Sequence, residues 1–378
     1  MQLSETIKLL PTKKQLLLLL DTMNEYIETV NSLVSVEMNG ISIAKYSSKD
    51  ISAPLPSALR NQCLRDAKSI VKKYRKYCHK AVLKYRWNKK HSINDKVLSP
   101  KVPTLRKLCC YINNQNYRIN GNNIEFPVME NGKSTRISVK TKITDTQKDK
   151  LSNVKLGTMR IVIKNNIIVA QVVYNAEKAQ PKTEGNIMGV DIGIKCPAVM
   201  YCSNGKVKFC GNGRKNKYIR RHFDKLRHSL QKAKRLDAVK RLNNKEQRIM
   251  KDIDHKISRE IINTAIKNNV RVIRLEQLAN IRSTTRKSRK NNHSIHSWSF
   301  YRLASFIEYK AKLSGIRIEY VNPAFTSQMC PKCGSVHHAN DRNYSCKCGY
   351  HTHRDLLGAI NICSSTEYVG DTIIRHTA

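Results

Sequence analysis

The chain has 378 residues, which is enough for two or three domains with a buried core. Its 70 lysines and arginines outnumber 28 aspartates and glutamates, so the net charge is +42. Such an excess favours a polyanionic partner, nucleic acid first and an acidic membrane surface second. We find no signal peptide, and the longest apolar block, Leu16 to Leu20, is about a quarter of a membrane span. We therefore expect a soluble, cytoplasmic protein.

The N-terminal half begins with a short strand over residues 1–11, which Pro11 ends. The segment "TKKQ", Thr12 to Gln15, matches a capping box and predicts the start of an amphipathic helix. A second helical block, with apolar residues at helical spacing among dense charge, is predicted from Pro56 to about His91. The sequence thus predicts one strand and two helices before about residue 104.

Between about Thr104 and Tyr174 the apolar period changes to about two, which predicts several strands. The triplet "KNN", Lys164 to Asn166, lies between two β-branched runs and indicates a hairpin. The polar segment from Ala176 to Asn186 is typical of a linker.

After the linker, the segment "IMGVDIGIKCPAVMYCSNGKVKFC" predicts two strands. A basic helical region from Arg214 to about Lys267 and a strand from Val270 to Leu278 follow. A polar stretch, a helix, a strand ending at Val321, a cysteine cluster and a final apolar helix complete the order. Alternating strands and helices of this kind predict an α/β domain around a central sheet.

Of the twelve cysteines, eight are scattered singly or adjacent, as buried free thiols are in a cytosolic protein. The other four form two knuckles, Cys330 with Cys333 and Cys346 with Cys348. Two such knuckles complete a tetrahedral zinc site, and Gly334 and Gly349 supply the permissive backbone that each one needs. Four thiolates leave no open position for water, so we expect a structural zinc rather than a catalytic one.

The second knuckle is C-x-C rather than C-x-x-C, a tighter loop than usual. One of the nearby histidines could therefore replace a cysteine at zinc. The candidates are His351, His353, His337 and His338.

Three acidic residues interrupt apolar elements: Asp191 in "IMGVDIGI", Glu276 in "VIRLEQL" and Asp355 at the start of "DLLGAINI". Singly, each has an ordinary explanation, namely a turn residue, an exposed edge and a helix N-cap. Together they predict a cluster of like charges, which only divalent cations stabilise. Two Mg²⁺ ions held by three carboxylates can activate water and stabilise the leaving oxygen of a phosphodiester.

The stretches "GVDIGIK", "VIRLEQL" and "CPKCG…CKCGYHTHRDLLGAINI" resemble the three motifs of the RuvC nuclease domain of the TnpB family. These proteins are transposon-encoded relatives of type V CRISPR effectors. The segments "IKLLPTKKQ", "HSWSFYRL" and "YKAKLSGIRIEYVNPAFTSQMCPKCG" extend the resemblance over nearly the whole chain. The sequence departs from the family in its shortened second knuckle and in Leu357-Gly358, where the family often has Asn-Ala. We expect the second departure to affect helix packing only.

The resemblance implies that Asp191, Glu276 and Asp355 are a catalytic triad that binds two magnesium ions. It implies an RNase H-like (RuvC) α/β domain with an inserted zinc ribbon, whose zinc is structural, and an N-terminal α+β half with a β-rich wedge and a helical recognition insertion. The expected domains follow in chain order. They are the wedge (1–11 and 104–180), the recognition domain (12–103), RuvC (181–328), the target nucleic-acid-binding ribbon (329–352), the last RuvC helix (353–366) and a tail (367–378).

By the same resemblance, the expected function is RNA-guided DNA cleavage next to a short flanking motif. The expected partners are a guide RNA from the transposon end and double-stranded target DNA, bound by a monomer. One alternative is an unguided metal-dependent nuclease or junction resolvase. Another is a non-cleaving protein that binds nucleic acid through its zinc ribbon, such as an RNA-guided repressor or a ribosome-associated factor.

Two surfaces are candidates for nucleic-acid contact. The segment Arg214 to Lys256 carries sixteen basic and five acidic residues, an excess that favours a polyanion against it, and in the family it holds the guide–target heteroduplex. The segment Lys72 to His91 interleaves basic residues with aromatic ones, which we interpret as core positions first and as base-stacking platforms second. These are Tyr74, Tyr77, Tyr85 and Trp87. Arg282 to Lys290 is a candidate lid over the site.

Overall fold

The structure, a computed structural model, describes residues 1–94, 97–242, 244–278, 298–339 and 341–372. The chain divides into two compact units, Met1–Ala176 and Glu177–Ala378. The boundary lies at the start of the segment that the sequence indicates as a linker. The proposed lid, Arg282 to Lys290, lies outside the described residues.

The first unit is built on a seven-stranded sheet with the order β2-β6-β7-β1-β5-β4-β3, in which every pairing is antiparallel. Its strands are β1 (Gln2–Leu9), β2 (Cys109–Ile112), β3 (Arg118–Asn120), β4 (Asn123–Glu130), β5 (Lys133–Lys142), β6 (Leu156–Lys164) and β7 (Ile167–Asn175). The β6–β7 hairpin turns at Asn165 and Asn166, both with positive φ, as the two-residue hairpin turn requires. The predicted "KNN" hairpin is therefore confirmed.

The helices of this unit are α1 (Lys13–Met38), α2 (Ser57–Lys90) and α3 (Asp145–Ser152), with a short 3₁₀ helix at Ser48–Asp50. The capping box is confirmed, because the Gln15 amide donates to the Thr12 hydroxyl and the Thr12 amide donates to the Gln15 side chain. Apolar residues of α1 and of the first half of α2 pack on the sheet in one core.

The second half of α2 leaves that core. Tyr77, Tyr85 and Trp87 are exposed by more than half, so interpreting them as core positions is wrong. Burial on α2 is concentrated between Leu59 and Val71, with Asn88 the exception. The basic, aromatic end of this helix is therefore a surface.

The second unit contains a six-stranded mixed sheet with the order β10-β9-β8-β11-β12-β15. Its strands are β8 (Asn186–Asp191), β9 (Ala198–Cys202), β10 (Val207–Cys210), β11 (Val270–Glu276), β12 (Arg317–Val321) and β15 (Tyr368–Gly370). The β10, β9 and β8 strands pair antiparallel, while β8, β11 and β12 run parallel. The predicted α/β unit around a central sheet is confirmed.

Its helices are α4 (Gly213–Lys232), α5 (Leu236–Leu242), α6 (Lys245–Lys267), α7 (Phe300–Leu313) and α8 (Arg354–Ser364). The strands β13 (Asn343–Ser345) and β14 (His351–His353) form a separate two-stranded sheet within the cysteine segment. Apolar residues of α6 and α7 share a core with the six-stranded sheet.

Two predicted elements need correction. The segment from Ile187 to Cys210 forms three strands rather than two, because residues 192–197 separate the first strand from the second and a tight turn follows Cys202. Part of the expected tail, Tyr368–Gly370, pairs with β12 as the edge strand of the sheet. A short strand with few apolar residues gives little periodic signal, so the sequence pattern does not reveal it.

The eight cysteines outside the cluster are free, and six of them are buried, as their scattered spacing predicts. Among the described helices, none combines the length and the apolar character that crossing a lipid bilayer requires.

Candidate active site and cysteine ribbon

Two of the predicted acidic residues lie at the carboxyl ends of neighbouring parallel strands. Asp191 is the last residue of β8, and Glu276 is the last residue of β11. Leu275 pairs with Val190 in the register, so the next pair along the strands is Glu276 and Asp191. Because parallel strands end at the same edge of a sheet, the two carboxylates are neighbours across one strand spacing.

Asp355 reaches the same edge from α8, which packs on β8 and β9. A Cβ at Gly189 would lie 2.1 Å from the Ala359 carbonyl oxygen, so only glycine on β8 allows the helix so close. His353 is the N-cap of α8, and its Nδ1 accepts a 3.2 Å hydrogen bond from the Asp355 amide. Asp355 is therefore not the ordinary N-cap considered above, and its carboxylate is free of that role.

The three carboxylates interact electrostatically. Burial raises the pKa of Asp191 well above its usual range, and the charges of Glu276 and Asp355 raise it further. Burial also raises the pKa of Glu276, against the effect of a hydrogen bond from Thr326. The cluster therefore favours a bound cation or proton, as the sequence argument for a divalent metal expects.

Arg342 supplies one such positive charge. Its guanidinium forms an ion pair and hydrogen bond with Asp355, and it lowers the pKa of Asp191 against the effect of burial. The residue lies in the cysteine segment, just before β13. Sequence reasoning missed it, because one arginine among so many basic residues gives no distinguishing signal.

Two further residues that sequence reasoning missed connect Glu276 to α8. The Thr326 hydroxyl donates a short hydrogen bond to Glu276. The buried Asn361 amide donates to the carbonyls of Thr326 (2.8 Å) and Met329 (2.7 Å). Asn361 therefore fixes the loop that carries Thr326. A buried asparagine in an apolar helix was the signal that could have identified it.

The four predicted cysteines converge. Their Sγ atoms all lie within 4.8 Å of one another, with Cys330 to Cys348 at 3.7 Å and Cys333 to Cys346 at 3.5 Å. Tetrahedral zinc–thiolate bonds of about 2.3 Å would place sulfurs about 3.8 Å apart. The donor set and its spacing therefore fit zinc.

The backbone and hydrogen bonds of the knuckles also fit a thiolate site. Gly334 and Gly349 have φ of +71° and +82°, the left-handed conformation that glycine adopts without strain. Hydrogen bonding with Ser335 lowers the pKa of Cys333 to about 6, which favours the thiolate, the form that binds metal.

The histidine alternatives have other roles. The His351 ring bonds Ser345 Oγ at 2.7 Å, and His353 caps α8. Within the described ranges, only the four cysteines form a group of three or more such ligands this close together. No histidine among those described joins them in that group.

Helix α8 contacts both sites with consecutive residues. Leu357 is fully buried in a small cluster with Cys330, Tyr344 and Cys346. The neighbouring Gly358 faces Asp191, since a Cβ there would lie 3.2 Å from Asp191 Oδ2. The departure at Leu357-Gly358 thus falls on the contact between the ribbon, the helix and the triad, which is more than helix packing alone.

The predicted basic region is helical, as α4, α5 and α6. Only Gly213 and Phe223 are buried on α4, and Arg227 is paired with Glu246 of α6 at 2.8 Å. Most of the remaining basic side chains are solvent-exposed. The segment therefore presents a positively charged surface, as its composition predicts.

Two family models match the second unit, and one of them begins a few residues before it. The family described as "Probable transposase" matches residues 171–282, and the "Cas12f1-like, TNB domain" family matches residues 300–362. Together these ranges contain Asp191, Glu276, Asp355 and the four cysteines.

Curated relatives extend this similarity. A TnpB-like protein of Methanocaldococcus jannaschii is 32% identical over 249 residues, which are 62% of this chain and 88% of that protein. A CRISPR-associated endodeoxyribonuclease Cas12f1 of Sulfoacidibacillus thermotolerans is 28% identical over 194 residues. That match covers 47% of this chain and 44% of the relative, so the chain spans less than half of the Cas12f1 relative's length.

The fold is also found among solved structures. The chain aligns with a protein chain of a Cas12f1–sgRNA–target DNA complex at a TM-score of 0.62 and 16% identity. The alignment covers 93% of this chain and 82% of the other. At this identity the likeness establishes a shared fold.

Proposed function

The chain belongs to the TnpB family, and we propose that it is an RNA-guided DNA endonuclease of a mobile genetic element. The observation that carries the proposal is the meeting of three acidic residues from three elements at one sheet edge, where Asp191 has a strongly raised pKa. Carboxylates that repel one another in a fixed arrangement mark a functional site more often than a structural one. A non-cleaving protein has no need of them.

In this proposal, Asp191, Glu276 and Asp355 hold magnesium, with two ions as the resemblance implies. Bound Mg²⁺ would supply an activated water and stabilise the leaving oxygen of the phosphodiester.

The chain's own residues position that chemistry. Thr326 donates to one oxygen of Glu276 and so leaves the other free for a cation. Arg342 neutralises Asp355, and a metal ion must share or replace this ion pair. Arg274 donates to the carbonyls of Cys363 and Ser365 at the end of α8, which holds the helix against the strand that carries Glu276.

The ribbon, residues 329–352, would bind zinc through its four cysteines and contact target nucleic acid. Its zinc is structural in this proposal, because four thiolates leave no open coordination position. The RuvC-like domain would comprise residues 181–328 and the last helix, 353–366. The first unit would provide the wedge (1–11 and 104–180) and the recognition domain (12–103).

The proposed partners are a guide RNA derived from the transposon end and double-stranded target DNA, bound by a monomeric protein in the cytoplasm. The Cas12f1 complex that shares the fold contains an sgRNA and target DNA. The net charge of +42 and the exposed basic helices suit two polyanions. Binding should weaken steeply with salt, since phosphate contacts release counterions.

The first test is to express the protein with its native flanking DNA and sequence the RNA that co-purifies. One dominant RNA, running from the end of the gene into flanking sequence, is the expected result. Heterogeneous RNA that salt removes would instead support an unguided nuclease.

The second test is cleavage of DNA complementary to that RNA. Asp191→Ala should abolish Mg²⁺-dependent cleavage while RNA binding is kept. Asp371→Ala, which removes an exposed carboxylate, should cut like the wild type. Undiminished cleavage by Asp191→Ala would refute the site.

A further inference from the structure

Two exposed aromatic rings lie beside the proposed active site. Phe209 on β10 is 47% exposed, and Phe325 in the loop after β12 is 56% exposed. A single exposed apolar side chain is ordinary on a protein surface. The positions of these two rings relative to the carboxylates are what distinguish them.

Phe209 is aligned with Asp191 across the sheet. Asp191 pairs with Val199, and Val199 pairs with Phe209. Directly paired residues point to the same face, and two strand spacings put their Cα atoms about 10 Å apart. The Phe209 ring contacts the His353 ring edge-on, with centroids 5.3 Å apart, and His353 caps the helix at Asp355.

Phe325 lies in the loop that follows β12, the strand next to the one that carries Glu276. Val321, the last residue of β12, pairs with Glu276, and the loop that follows carries Phe325. The next residue, Thr326, donates to the Glu276 carboxylate. Phe209 thus contacts the residue that caps the helix at Asp355, and Phe325 precedes the residue that bonds Glu276. In the strand order β10-β9-β8-β11-β12, the strand of Phe209 and the strand before Phe325 flank the two strands that end at Asp191 and Glu276.

The backbone at Phe325 is strained. Its φ is +60°, a left-handed conformation that is a genuine outlier for a bulky side chain. Such strain costs on the order of 1–3 kcal/mol and is concentrated at functional sites. Fold stability alone would favour glycine or asparagine at this position, because both adopt a positive φ more readily than phenylalanine does and neither would expose an apolar ring.

We propose that Phe209 and Phe325 are stacking platforms for two bases of the substrate strand, one on each side of the scissile phosphate. The inference rests on the proposed nuclease function. An aromatic ring stacks on any base with about 1–3 kcal/mol. The rings therefore fix the position of the strand without reading its sequence, which suits an enzyme whose specificity comes from base pairing.

The test combines protein variants with substrates that each lack one base. Target strands complementary to the co-purified RNA would carry one abasic site at successive positions around the mapped cut. The wild type should slow at two of these positions. Phe209→Leu should cut the intact strand about 5–150-fold more slowly, the range that about 1–3 kcal/mol of stacking implies, and should lose its sensitivity at one abasic position. Phe325→Gly should do the same at the other position.

Conservative and control variants separate stacking from structure. Phe209→Tyr keeps an aromatic face and should retain the wild-type rate. Val207→Ala alters an exposed residue on the same strand and face and should leave both rate and abasic profile unchanged. Phe325→Gly should unfold at or above the wild-type temperature, because glycine relieves the strained φ.

Equal slowing of Phe209→Leu on intact and abasic strands would overturn the proposal, as would wild-type rates for both ring variants. These outcomes differ from failure of the nuclease proposal, in which Asp191→Ala would still cut. An independent readout uses a strand with 2-aminopurine at the two positions, bound by the inactive Asp191→Ala protein. The fluorescence of 2-aminopurine should rise when Phe209→Leu or Phe325→Gly is combined with Asp191→Ala in one protein, because the base then loses its stacking partner.

Discussion

The cysteine ribbon and the carboxylate site are adjacent in the second unit, yet they are built in opposite ways. All four thiols come from one short segment, Cys330 to Cys348, and their Sγ atoms lie within 4.8 Å of one another. The carboxylates come from positions 191, 276 and 355, and burial, together with their mutual repulsion, raises the pKa of Asp191. The proposed zinc site is therefore encoded by one local segment, whereas the proposed catalytic site depends on the whole sheet and opposes its stability.

Helix α8 connects the two sites, because its residues contact both of them. Leu357 packs among the ribbon cysteines, and Asn361 holds the loop whose Thr326 bonds Glu276. Loss of the ribbon should therefore disturb the triad, whereas changes at the triad should leave the ribbon intact. The expected dependence is therefore one-way, from the ribbon to the triad.

The largest effect is expected from removing a zinc ligand. Cys330→Ser should release zinc and destabilise the C-terminal region, since structural zinc contributes about 10–16 kcal/mol of apparent binding energy in small zinc peptides. Zinc stoichiometry and thermal unfolding measure this, and cleavage should be lost together with the metal. Cys78→Ser on α2, far outside the cluster in sequence, should keep full zinc. A Cys330→Ser protein with unchanged zinc and unfolding temperature would refute the ribbon.

A smaller effect is expected at the triad from Thr326→Val. Losing the hydroxyl that bonds Glu276 should slow cleavage about 10–100-fold, as loss of a residue that orients a metal ligand does. Zinc content should not change. Thr366→Val, at an exposed threonine, is the matched control. In a double-mutant cycle, Thr326→Val should add little to Glu276→Gln; additive losses would mean that Thr326 acts elsewhere.

The third prediction concerns the stability cost of the clustered charges. Because the folded-state pKa of Asp191 is raised, the metal-free protein binds that proton more tightly than the unfolded chain. Its contribution to stability is full below the unfolded pKa of about 4 and is lost as pH rises through the raised folded value. Metal binding, which needs the carboxylate, should strengthen over the same rise in pH.

Asp191→Asn removes this titration. Both proteins would be treated with EDTA and exchanged into metal-free buffer, briefly enough to retain zinc in the ribbon. At neutral pH the free energy of unfolding of the variant should exceed that of the wild type by roughly 0.5–2 kcal/mol. Its advantage should shrink as the pH falls. Thermal unfolding from pH 4 to 8 measures both. A variant less stable than the wild type at neutral pH would show that the carboxylate holds the fold together.

The sequence predicts the ribbon more completely than it predicts the triad's surroundings. Knuckle spacing and glycines at 334 and 349 are local signals, and the thiols converge as those signals indicate. The elements carrying Asp191, Glu276 and Asp355 are likewise predicted, because apolar strands interrupted by an acid are visible as patterns. Their assignment as catalytic remains a prediction.

What the sequence could not provide depends on contacts between distant segments. Thr326 reaches Glu276 across 50 residues, and Asn361 reaches Thr326 across 35, with no periodicity to announce either. The third strand in the segment from Ile187 to Cys210 and the edge strand at Tyr368–Gly370 were missed because each is short. Pairing with neighbours rather than its own pattern determines such a strand.

The smallest effect is expected from Gly358→Ala, at the point where α8 faces Asp191. Glycine inside α8 costs roughly 0.5–1 kcal/mol relative to alanine, so the variant should gain stability. The new Cβ would lie 3.2 Å from Asp191 Oδ2, so the carboxylate must shift by a few tenths of an ångström and cleavage should slow a few-fold. Gly370→Ala, where a Cβ meets open space, should cut normally. If Gly358→Ala instead loses stability and keeps its rate, the helix rather than the carboxylate has moved, and the triad is the more rigid of the two regions.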